Sequence, residues 1–331
     1  MRALRSHGPG GPETLSWDEL PDPAPGPDEV LIEVRAAALN YPDVLLIRDL
    51  YQMRPPRPFA PGSEVAGVVR AVGAGVTRVR PGDRVIGTAA WGGLATLLVV
   101  PQANCIAIPA HVPFDEAAAL TVTFGTSHYA LRERGALRAG ETLLVLGATG
   151  GVGLAAIQLA RAQGARVIAA VSSSAKAALA RAQGADAAII YPADVSARAE
   201  SRAFTEALKA EAPIDVILDP VGGAFSEAAF RAIAWQGRHL VVGFTAGIPT
   251  LPLNLALLKG AAVIGVFYGD FSRRAPARHA AALAEIVALH ADGRIRPHIS
   301  QRLPVARAAE GLAALADRAA TGKIVVEIGP A

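Results

Sequence analysis

The chain has 331 residues, of which 52% are hydrophobic and 18% charged, and 32 basic against 29 acidic residues give a formal net charge of +3. This length exceeds what one hydrophobic core usually serves, so we expect two domains. The basic residues are scattered, without a Lys/Arg block or interleaved aromatics, which argues against a nucleic-acid partner. The single cysteine, Cys105, excludes an internal disulfide and a multi-cysteine zinc site, and no motif suggests another metal site.

Two long uncharged stretches, residues 85–114 and 142–160, raise the question of a membrane span. The first contains three prolines and the second a glycine cluster, so neither is predicted to cross a bilayer. The opening MRALRSHGPGG turns polar at once and does not resemble a signal peptide. We therefore predict a soluble cytoplasmic protein without a membrane partner.

The first 120 residues have the pattern of an all-β domain. EVLIEVRAAA (29–38) partly alternates apolar and polar residues, and EVAGVVRAVG, DRVIGTA and LATLLVV are short and β-branched. Gly/Pro-rich segments such as PDPAPGPDE and RPGD separate them, as turns separate strands. This spacing predicts a barrel-like β domain.

From about residue 115 the pattern changes to alternating helices and strands. A helical stretch is followed by a strand at Glu141–Leu146 and a helix at Gly153–Ala162, and further strand–helix pairs continue to residue 244. This alternation is typical of a doubly wound parallel sheet. A strand at 262–269 (AVIGVFYG), helices at 277–291 and near 307–319, and a closing strand KIVVEI are predicted after it.

Residues 147–153, GATGGVG, lie between a predicted buried strand and a predicted helix. Glycines in this context let the chain turn sharply, let backbone N–H groups approach a pyrophosphate, and let the helix pack closely on the strand. The helix dipole then favours the anion. Two registers fit, Gly147, Gly150 and Gly153 or Gly151, Gly153 and Ala156, and they stay open. The predicted dinucleotide contacts are Gly147, Gly150, Gly151, Val152 and Gly153.

The end of the next strand indicates which dinucleotide binds. An NAD site usually has a carboxylate about twenty residues beyond the turn, but here the segment reads AAVSSSAK. The hydroxyls of Ser172 and Ser173 and the charge of Lys176 suit a 2′-phosphate, so NADPH is the predicted cofactor. The same serines could instead cap the helix that begins at Ala175, and both roles could hold together.

Several segments together resemble the medium-chain dehydrogenase/reductase superfamily, and within it the zinc-free quinone oxidoreductases. They are NYPDVLLIRDLY (40–51), PFAPGSEVAGVVRAVGAGV (58–76), AAALTVTFGTSHYAL (117–131), GATGGVG, DPVGG (219–223), VVGFTAGIPTLPLNLALLK (241–259) and TGKIVVEI (321–328). The resemblance implies a GroES-like β-barrel domain of residues 1–121, completed by residues 265–331. It also implies a Rossmann NADP-binding domain of residues 122–264, and a homodimer, for which edge pairing of AVIGVFYG is a plausible route.

The resemblance also implies the roles of individual residues. Asn40 and Ser63 stand where zinc-dependent relatives have a metal-binding cysteine and histidine, so no catalytic zinc is expected. The implied catalytic residues are Tyr51, as a hydrogen-bond or proton donor, and Asn40, beside the substrate. The implied nicotinamide contacts are Thr126, Gly243 and Phe244, and the residues expected beside the 2′-phosphate with Lys176 are Tyr191 and Arg318.

The function implied is NADPH-dependent hydride transfer to quinones or similar conjugated, electron-poor carbonyl compounds. An enoyl- or acryloyl-CoA reductase of the same fold is an alternative, in which Arg48, Arg54 and Arg57 around Tyr51 would meet a CoA phosphate. A non-enzymatic NADPH-binding protein is a second alternative. The sequence leaves all three open.

Overall fold

A computed structural model describes residues 1–211 and 213–329, which fold as two compact units. The first unit contains Met1–Val122, Pro276–Gly293 and the residues from Pro297 onward. The second unit contains Thr123–Ala275 with Arg294–Arg296. The second unit therefore extends to Ala275, beyond the boundary at residue 264 expected from the sequence.

The strands are β1 (Arg2–Arg5), β2 (Ser16–Glu19), β3 (Glu29–Leu39), β4 (Glu64–Val72), β5 (Arg84–Thr88), β6 (Leu97–Pro101), β7 (Cys105–Ala107), β8 (Thr142–Val145), β9 (Arg166–Val171), β10 (Ala187–Ile190), β11 (Val216–Asp219), β12 (Arg238–Val241), β13 (Ala262–Gly265), β14 (Ile299–Pro304) and β15 (Lys323–Glu327). The α-helices are α1 (Tyr41–Ile47), α2 (Phe114–Ala118), α3 (Thr121–His128), α4 (Gly151–Ala162), α5 (Ser174–Ala182), α6 (Arg198–Lys209), α7 (Gly223–Ala232), α8 (Leu253–Lys259), α9 (Tyr268–Arg274), α10 (Pro276–Ala291) and α11 (Ala308–Ala316). A π-helical segment, Tyr129–Arg134, extends α3. Within the described ranges, each helix is too short or too polar to cross a membrane.

The first unit is built around a mostly antiparallel sheet in the order β14-β15-β3-β4-β5-β7, with β6 also paired to β3. Strand β3 is central because it pairs with β4, β6 and β15. Its apolar side chains are almost fully buried, as expected for a strand that has neighbours on both edges. Strand β15, from the other end of the chain, therefore pairs directly with β3 at the centre of this sheet.

The second unit contains a six-stranded parallel sheet in the order β10-β9-β8-β11-β12-β13. Counted from β8, this is the 3-2-1-4-5-6 order of a dinucleotide-binding fold, and the strand order reverses between β8 and β11. Both strands are buried along their whole length, which explains the apolar runs of residues 143–145 and 216–218 within them. The predicted combination of a β domain with a doubly wound parallel sheet is confirmed.

Only the first half of the segment predicted as a strand, residues 262–269, forms a strand in the structure. β13 ends at Gly265, and Tyr268 already begins helix α9. The reason is that β13 pairs only with β12, whose register ends at the pair Val241 and Gly265. Beyond that pair the chain turns away, and the rings of Tyr129 and Phe271 stack with centroids 4.1 Å apart. This stacking attaches α9 to the second unit.

Candidate functional site

The glycine turn joins the end of β8 to the start of α4. Gly147 has a φ of +56°, which a side chain would strain, and a β-carbon there would lie 2.9 Å from a methyl of Val221. At position 153 a β-carbon would lie 2.7 Å from the backbone of Ala148. Gly147 thus permits the turn and Gly153 permits the close packing of helix on turn, which is the division of roles in the register Gly147, Gly150, Gly153.

The first turn of α4 presents backbone donors. The N–H groups of Gly151, Val152 and Gly153 have no acceptor within the helix, because the first turn of any helix lacks one. The hydroxyl of Ser127 donates to the carbonyl of Val152 over 2.8 Å and fixes this turn to α3. A pyrophosphate fits such a site, since the N–H groups and the helix dipole both attract an anion.

The end of β9 brings Ser172, Ser173 and Lys176 together. Ser173 is the N-cap of α5, and its hydroxyl accepts a hydrogen bond from the backbone N–H of Lys176 over 3.3 Å. Ser172 has a different partner, because the ammonium of Lys176 donates to its hydroxyl over 3.2 Å. The sequence suggested two roles for these serines, helix capping and phosphate binding, and the structure assigns capping to Ser173. Ser172 is instead hydrogen-bonded to the ammonium of Lys176, and this pair faces solvent. This pair has the donor chemistry that a phosphate requires.

The other predicted residues near the phosphate are placed differently. The backbone N–H of Tyr191 donates to the carbonyl of Val171 over 2.9 Å, so Tyr191 lies next to the residue that precedes Ser172. Its ring packs against Phe225, with centroids 4.9 Å apart. Arg318 belongs to the first unit, just after α11, and has a φ of +56°. Its predicted phosphate contact stays a prediction.

The predicted nicotinamide contacts lie in α3 and in the loop after β12. Thr126 is buried in α3, and Phe244 is 47% exposed on the loop. The N–H of Gly243 donates to the carbonyl of Asp219 over 3.2 Å, which ties this loop to the end of β11. β11 and β12 are neighbours in the parallel sheet, so both loops emerge at its carboxyl edge.

Tyr51 follows α1 in the first unit and is half-buried. It packs against a small apolar cluster that contains Leu46, Ile47 and Phe59. Burial raises the pKa of the Tyr51 phenol above its usual value, and the charge of Asp43 raises it further. The phenol therefore keeps its hydrogen at neutral pH and can act as a hydrogen-bond or proton donor.

Asn40 lies in a buried polar network that sequence reasoning did not foresee. Its amide nitrogen donates to the carbonyl of Ala38 over 3.3 Å and to Oε1 of Glu64 over 3.0 Å. Its Oδ1 accepts from the ammonium of Lys323 over 2.6 Å. The carboxamide is thus engaged within the first unit at both its donor and its acceptor atoms. A direct contact of Asn40 with substrate stays a prediction.

Lys323 and Glu64 form the ionic centre of this network. The ammonium of Lys323 lies 2.8 Å from Oε1 of Glu64, and both side chains are at most 3% exposed. The other carboxylate oxygen of Glu64 accepts from the hydroxyl of Thr121 over 2.7 Å and from the N–H of Val122 over 2.8 Å. Glu64 therefore holds the start of α3. The sequence signals were a lysine before the apolar run of residues 324–326 and, by the resemblance, Glu64 at a position where carboxylates organise loops.

Asp43 is fully buried beside this network. One oxygen accepts from the N–H of Asn40 over 2.8 Å, and the other accepts from the N–H of Gly62 over 3.0 Å. Burial raises the pKa of Asp43 to about 6, although these N–H groups and the charge of Lys323 oppose the rise. Asp43 thus fixes the turn that leads into α1, upstream of Tyr51.

The three arginines near Tyr51 are not equivalent. Arg57 donates to Oδ1 of Asp49 over 2.7 Å and to the carbonyl of Ile47 over 3.1 Å, and its guanidinium stacks on Phe59. Arg48 and Arg54 are exposed. Arg57 is therefore part of the loop's own structure, whereas Arg48 and Arg54 face solvent.

The acidic, histidine and cysteine side chains are dispersed. Across residues 1–211 and 213–329, no three His, Cys, Asp or Glu side chains are grouped so that they could hold a metal ion. Cys105 is buried in the core of the first unit.

Comparisons with known proteins agree with this architecture. Residues 26–110 match the alcohol dehydrogenase GroES-like domain and residues 151–286 match the zinc-binding dehydrogenase domain. A quinone oxidoreductase of Pseudomonas aeruginosa is 36% identical over 320 residues, covering 96% of each chain. Quinone oxidoreductase-like protein 2 of Bos taurus is 34% identical over 304 residues, covering 91% of this chain and 86% of the relative. The solved quinone oxidoreductase of Thermus thermophilus, which was also determined with NADPH, has 34% identity and a TM-score of 0.85, covering 99% of this chain and all 100% of that one.

Proposed function

The chain belongs to the medium-chain dehydrogenase/reductase superfamily as a quinone oxidoreductase-like protein, and on this premise we propose that it transfers a hydride from NADPH to a quinone or a similar conjugated, electron-poor carbonyl compound. The observation that carries the proposal is the pairing of Lys176 with Ser172 at the end of β9, where an NAD site would have a carboxylate. The glycine turn at the start of α4 lies one strand away in the same sheet.

The residues that would hold the cofactor all have chemistry that fits it. The N–H groups of Gly151, Val152 and Gly153 would bind the pyrophosphate, and Ser172 with Lys176 would bind the 2′-phosphate. Tyr191 and Arg318 are proposed to flank that phosphate, and Thr126, Gly243 and Phe244 to contact the nicotinamide. When bound, the reduced nicotinamide supplies the hydride.

Tyr51 is proposed to act on the acceptor. Adding a hydride to a conjugated carbonyl leaves negative charge on oxygen, which a nearby donor stabilises. The raised pKa of Tyr51 keeps its hydroxyl hydrogen in place for this role. Asn40 is proposed to be a positioning residue, because its carboxamide links Glu64 and Lys323 at the base of α1.

A second candidate, the reduction of an enoyl thioester, is favoured by one observation. Arg48 and Arg54 are exposed and have no ion pair among the described residues, so they could meet the phosphates of CoA. Arg57, which the sequence placed with them, is engaged by Asp49 and does not add to that site. Exposed arginines on a loop also increase solubility without binding any ligand. The quinone therefore remains the first candidate substrate.

The experiment that tests the proposal measures NADPH oxidation with a quinone and with a short enoyl-CoA, using NADH as the control. Fast turnover with the quinone alone supports the first candidate. Turnover with the thioester, lost in the double variant Arg48→Ala/Arg54→Ala, supports the second. Tight NADPH binding without turnover of either acceptor would favour a non-enzymatic NADPH-binding protein.

We further propose that the protein assembles as a homodimer through the second unit. β13 is an edge strand of the parallel sheet, and Val263 on it is 44% exposed. On α8, which precedes this strand, Leu253 and Leu257 are 76% and 80% exposed. An apolar edge strand of this kind pairs readily with another chain.

A further inference from the structure

We propose that Asp219 is a positioning residue, which holds the loops after β11 and β12 in the arrangement that the nicotinamide half of the cofactor requires. The inference rests on the proposed role of Gly243 and Phe244. It concerns a residue that itself would touch neither cofactor nor substrate, since its side chain is 2% exposed and faces into the second unit.

The carboxylate of Asp219 gathers four donors from three elements. Oδ1 accepts from the N–H groups of Val221 and Gly222, over 2.9 and 2.8 Å. Oδ2 accepts from the hydroxyl of Ser226, on α7, and from Nε2 of His239, on β12, over 3.0 Å. Within the described residues, Nδ1 of His239 has no partner, so the ring hydrogen belongs on Nε2. All four groups therefore donate.

Only an ionised carboxylate satisfies four donors at once. An asparagine has one acceptor oxygen, and its amide nitrogen would confront the N–H of His239. Burial raises the pKa of Asp219, but the hydrogen bonds from His239, Ser226 and Gly222 outweigh it and lower the pKa overall. The carboxylate is therefore fully charged at neutral pH.

The two loops that Asp219 joins also interlock through their backbones. The N–H of Gly223 donates to the carbonyl of Gly247 over 2.7 Å, and the N–H of Ala246 donates to the carbonyl of Val221 over 2.7 Å. The carbonyl of Asp219 itself accepts from the N–H groups of Val242 and Gly243. The loops after β11 and β12 therefore form one hydrogen-bonded unit. The carboxylate of Asp219 attaches this unit to α7 and β12.

Close packing makes this arrangement intolerant of displacement. Gly222 has a φ of +76°, and a β-carbon on it would lie 2.3 Å from the carbonyl oxygen of Gly247. A shift of the DPVGG segment would therefore displace the loop after β12, which packs directly against Gly222.

The test compares Asp219→Asn with Asp215→Asn. Asp215 precedes the same strand at its opposite end, where its carboxylate accepts one backbone N–H, from Thr142, over 2.8 Å. Binding of NADPH and of 2′,5′-ADP, which lacks the nicotinamide half, is measured by titration calorimetry. Amide hydrogen exchange of residues 219–223 and 242–247 is measured without any cofactor. Ser226→Ala, which removes one donor and keeps the carboxylate, serves if Asp219→Asn does not fold.

Asp219→Asn should weaken NADPH roughly tenfold, leave 2′,5′-ADP unchanged, and speed exchange in both loops, because a charged hydrogen-bonding group is lost from them. Ser226→Ala should shift each quantity in the same direction by less, and Asp215→Asn should shift none. Equal weakening of both ligands, or unchanged exchange in the two loops, would overturn the inference. If the unaltered protein binds no NADPH, the cofactor proposal fails, while the exchange comparison still decides whether Asp219 anchors the loops.

Discussion

The ammonium of Lys323 lies 2.6 Å from Oδ1 of Asn40, although 283 positions separate the two residues in the chain. The same ammonium donates to the carbonyl of Leu39 and to Glu64, so each of its three hydrogens has an acceptor. Strand β15 thus places a buried ammonium group against Leu39 and Asn40, the residues that precede α1. We infer that the hydrogen bonds of Lys323 fix the backbone conformation of the segment that leads to Tyr51.

Removing this cation should destabilise the first unit strongly. Lys323→Met leaves Glu64 buried without its counter-charge, which typically costs about 3–5 kcal/mol of unfolding free energy. Urea unfolding of the variant checks the value. Lys259→Met is the control, because within residues 1–211 and 213–329 the ammonium of Lys259 donates only to the carbonyl of Ile233, and its loss should cost about 1 kcal/mol.

A double variant distinguishes the effect of the unpaired charge on stability from the effect of the lost side-chain packing. Lys323→Met/Glu64→Gln removes the stranded charge and should recover part of the loss. If the double variant is as unstable as Lys323→Met alone, the ion pair is not the cause of the destabilisation. An unchanged unfolding midpoint for Lys323→Met would contradict the role of the network altogether.

Lys176→Ala should distinguish the two nicotinamide cofactors. The substitution removes the cation proposed to meet the 2′-phosphate, so the Kd for NADPH should rise roughly tenfold or more, while the Kd for NADH changes little. Fluorescence titration with each cofactor gives both values. Arg181→Ala is the control, since Arg181 lies at the other end of α5 and donates to Ala188. Equal losses for both cofactors would mean that Lys176 does not meet the phosphate.

The parallel sheet could be predicted from sequence because each of its strands and helices has a recognisable pattern within a few consecutive residues. Each buried strand is a short apolar run, and each helix between strands has a clear boundary such as Gly184 after α5. The glycine turn between β8 and α4 was also predictable from sequence, except for its register. The structure resolves the register because Gly147, which belongs to only one of the two, forms the turn with a φ of +56°.

The buried network of the first unit could not be predicted in the same way. Asn40 lies between β3 and α1, Glu64 begins β4 and Lys323 begins β15, and nothing in their spacing indicates that they meet. The short helices α1 and α8 were also missed. Seven residues beside prolines give too little periodicity to distinguish a helix from a turn, so their conformation depends on packing.

Tyr51→Phe should lower turnover without changing cofactor affinity. A positioned proton donor commonly contributes about a hundredfold to the rate, so kcat should fall by that order. Steady-state kinetics with the accepted substrate gives kcat, and titration gives the Kd for NADPH. Tyr129→Phe is the control, because the ring of Tyr129 stacks on Phe271 in the second unit. An unchanged kcat would remove Tyr51 from the mechanism.

The edge strand should control assembly. Val263→Lys places a charge on β13 and should block pairing with a second chain. Analytical ultracentrifugation should find the unaltered protein at twice the 34.0 kDa of one chain, and the variant at that mass. Leu50→Lys is the control, because Leu50 is 68% exposed but lies in the first unit. A monomeric unaltered protein at micromolar concentration would refute the proposed dimer.

The buried carboxyl of Asp43 should give the unfolding free energy a pH dependence of its own. Its pKa is about 6 in the folded chain, against an ordinary value of 3.8. A raised pKa means that the folded state binds the proton more tightly. The resulting stabilisation is complete below about pH 4 and is lost as the pH rises through 6, a change of about 3 kcal/mol.

Asp43→Asn cannot titrate, so urea unfolding at several pH values isolates this contribution. The stability of the unaltered protein relative to the variant should be about 2 kcal/mol greater at pH 4 than at pH 7. Glu141→Gln should behave oppositely. Burial raises the pKa of Glu141, but its hydrogen bonds with Arg238 lower it overall, so its stabilisation is lost as the pH falls below about 4.5. A difference for Asp43→Asn that stays constant from pH 4 to 7 would show that this carboxyl titrates as it does in the unfolded chain.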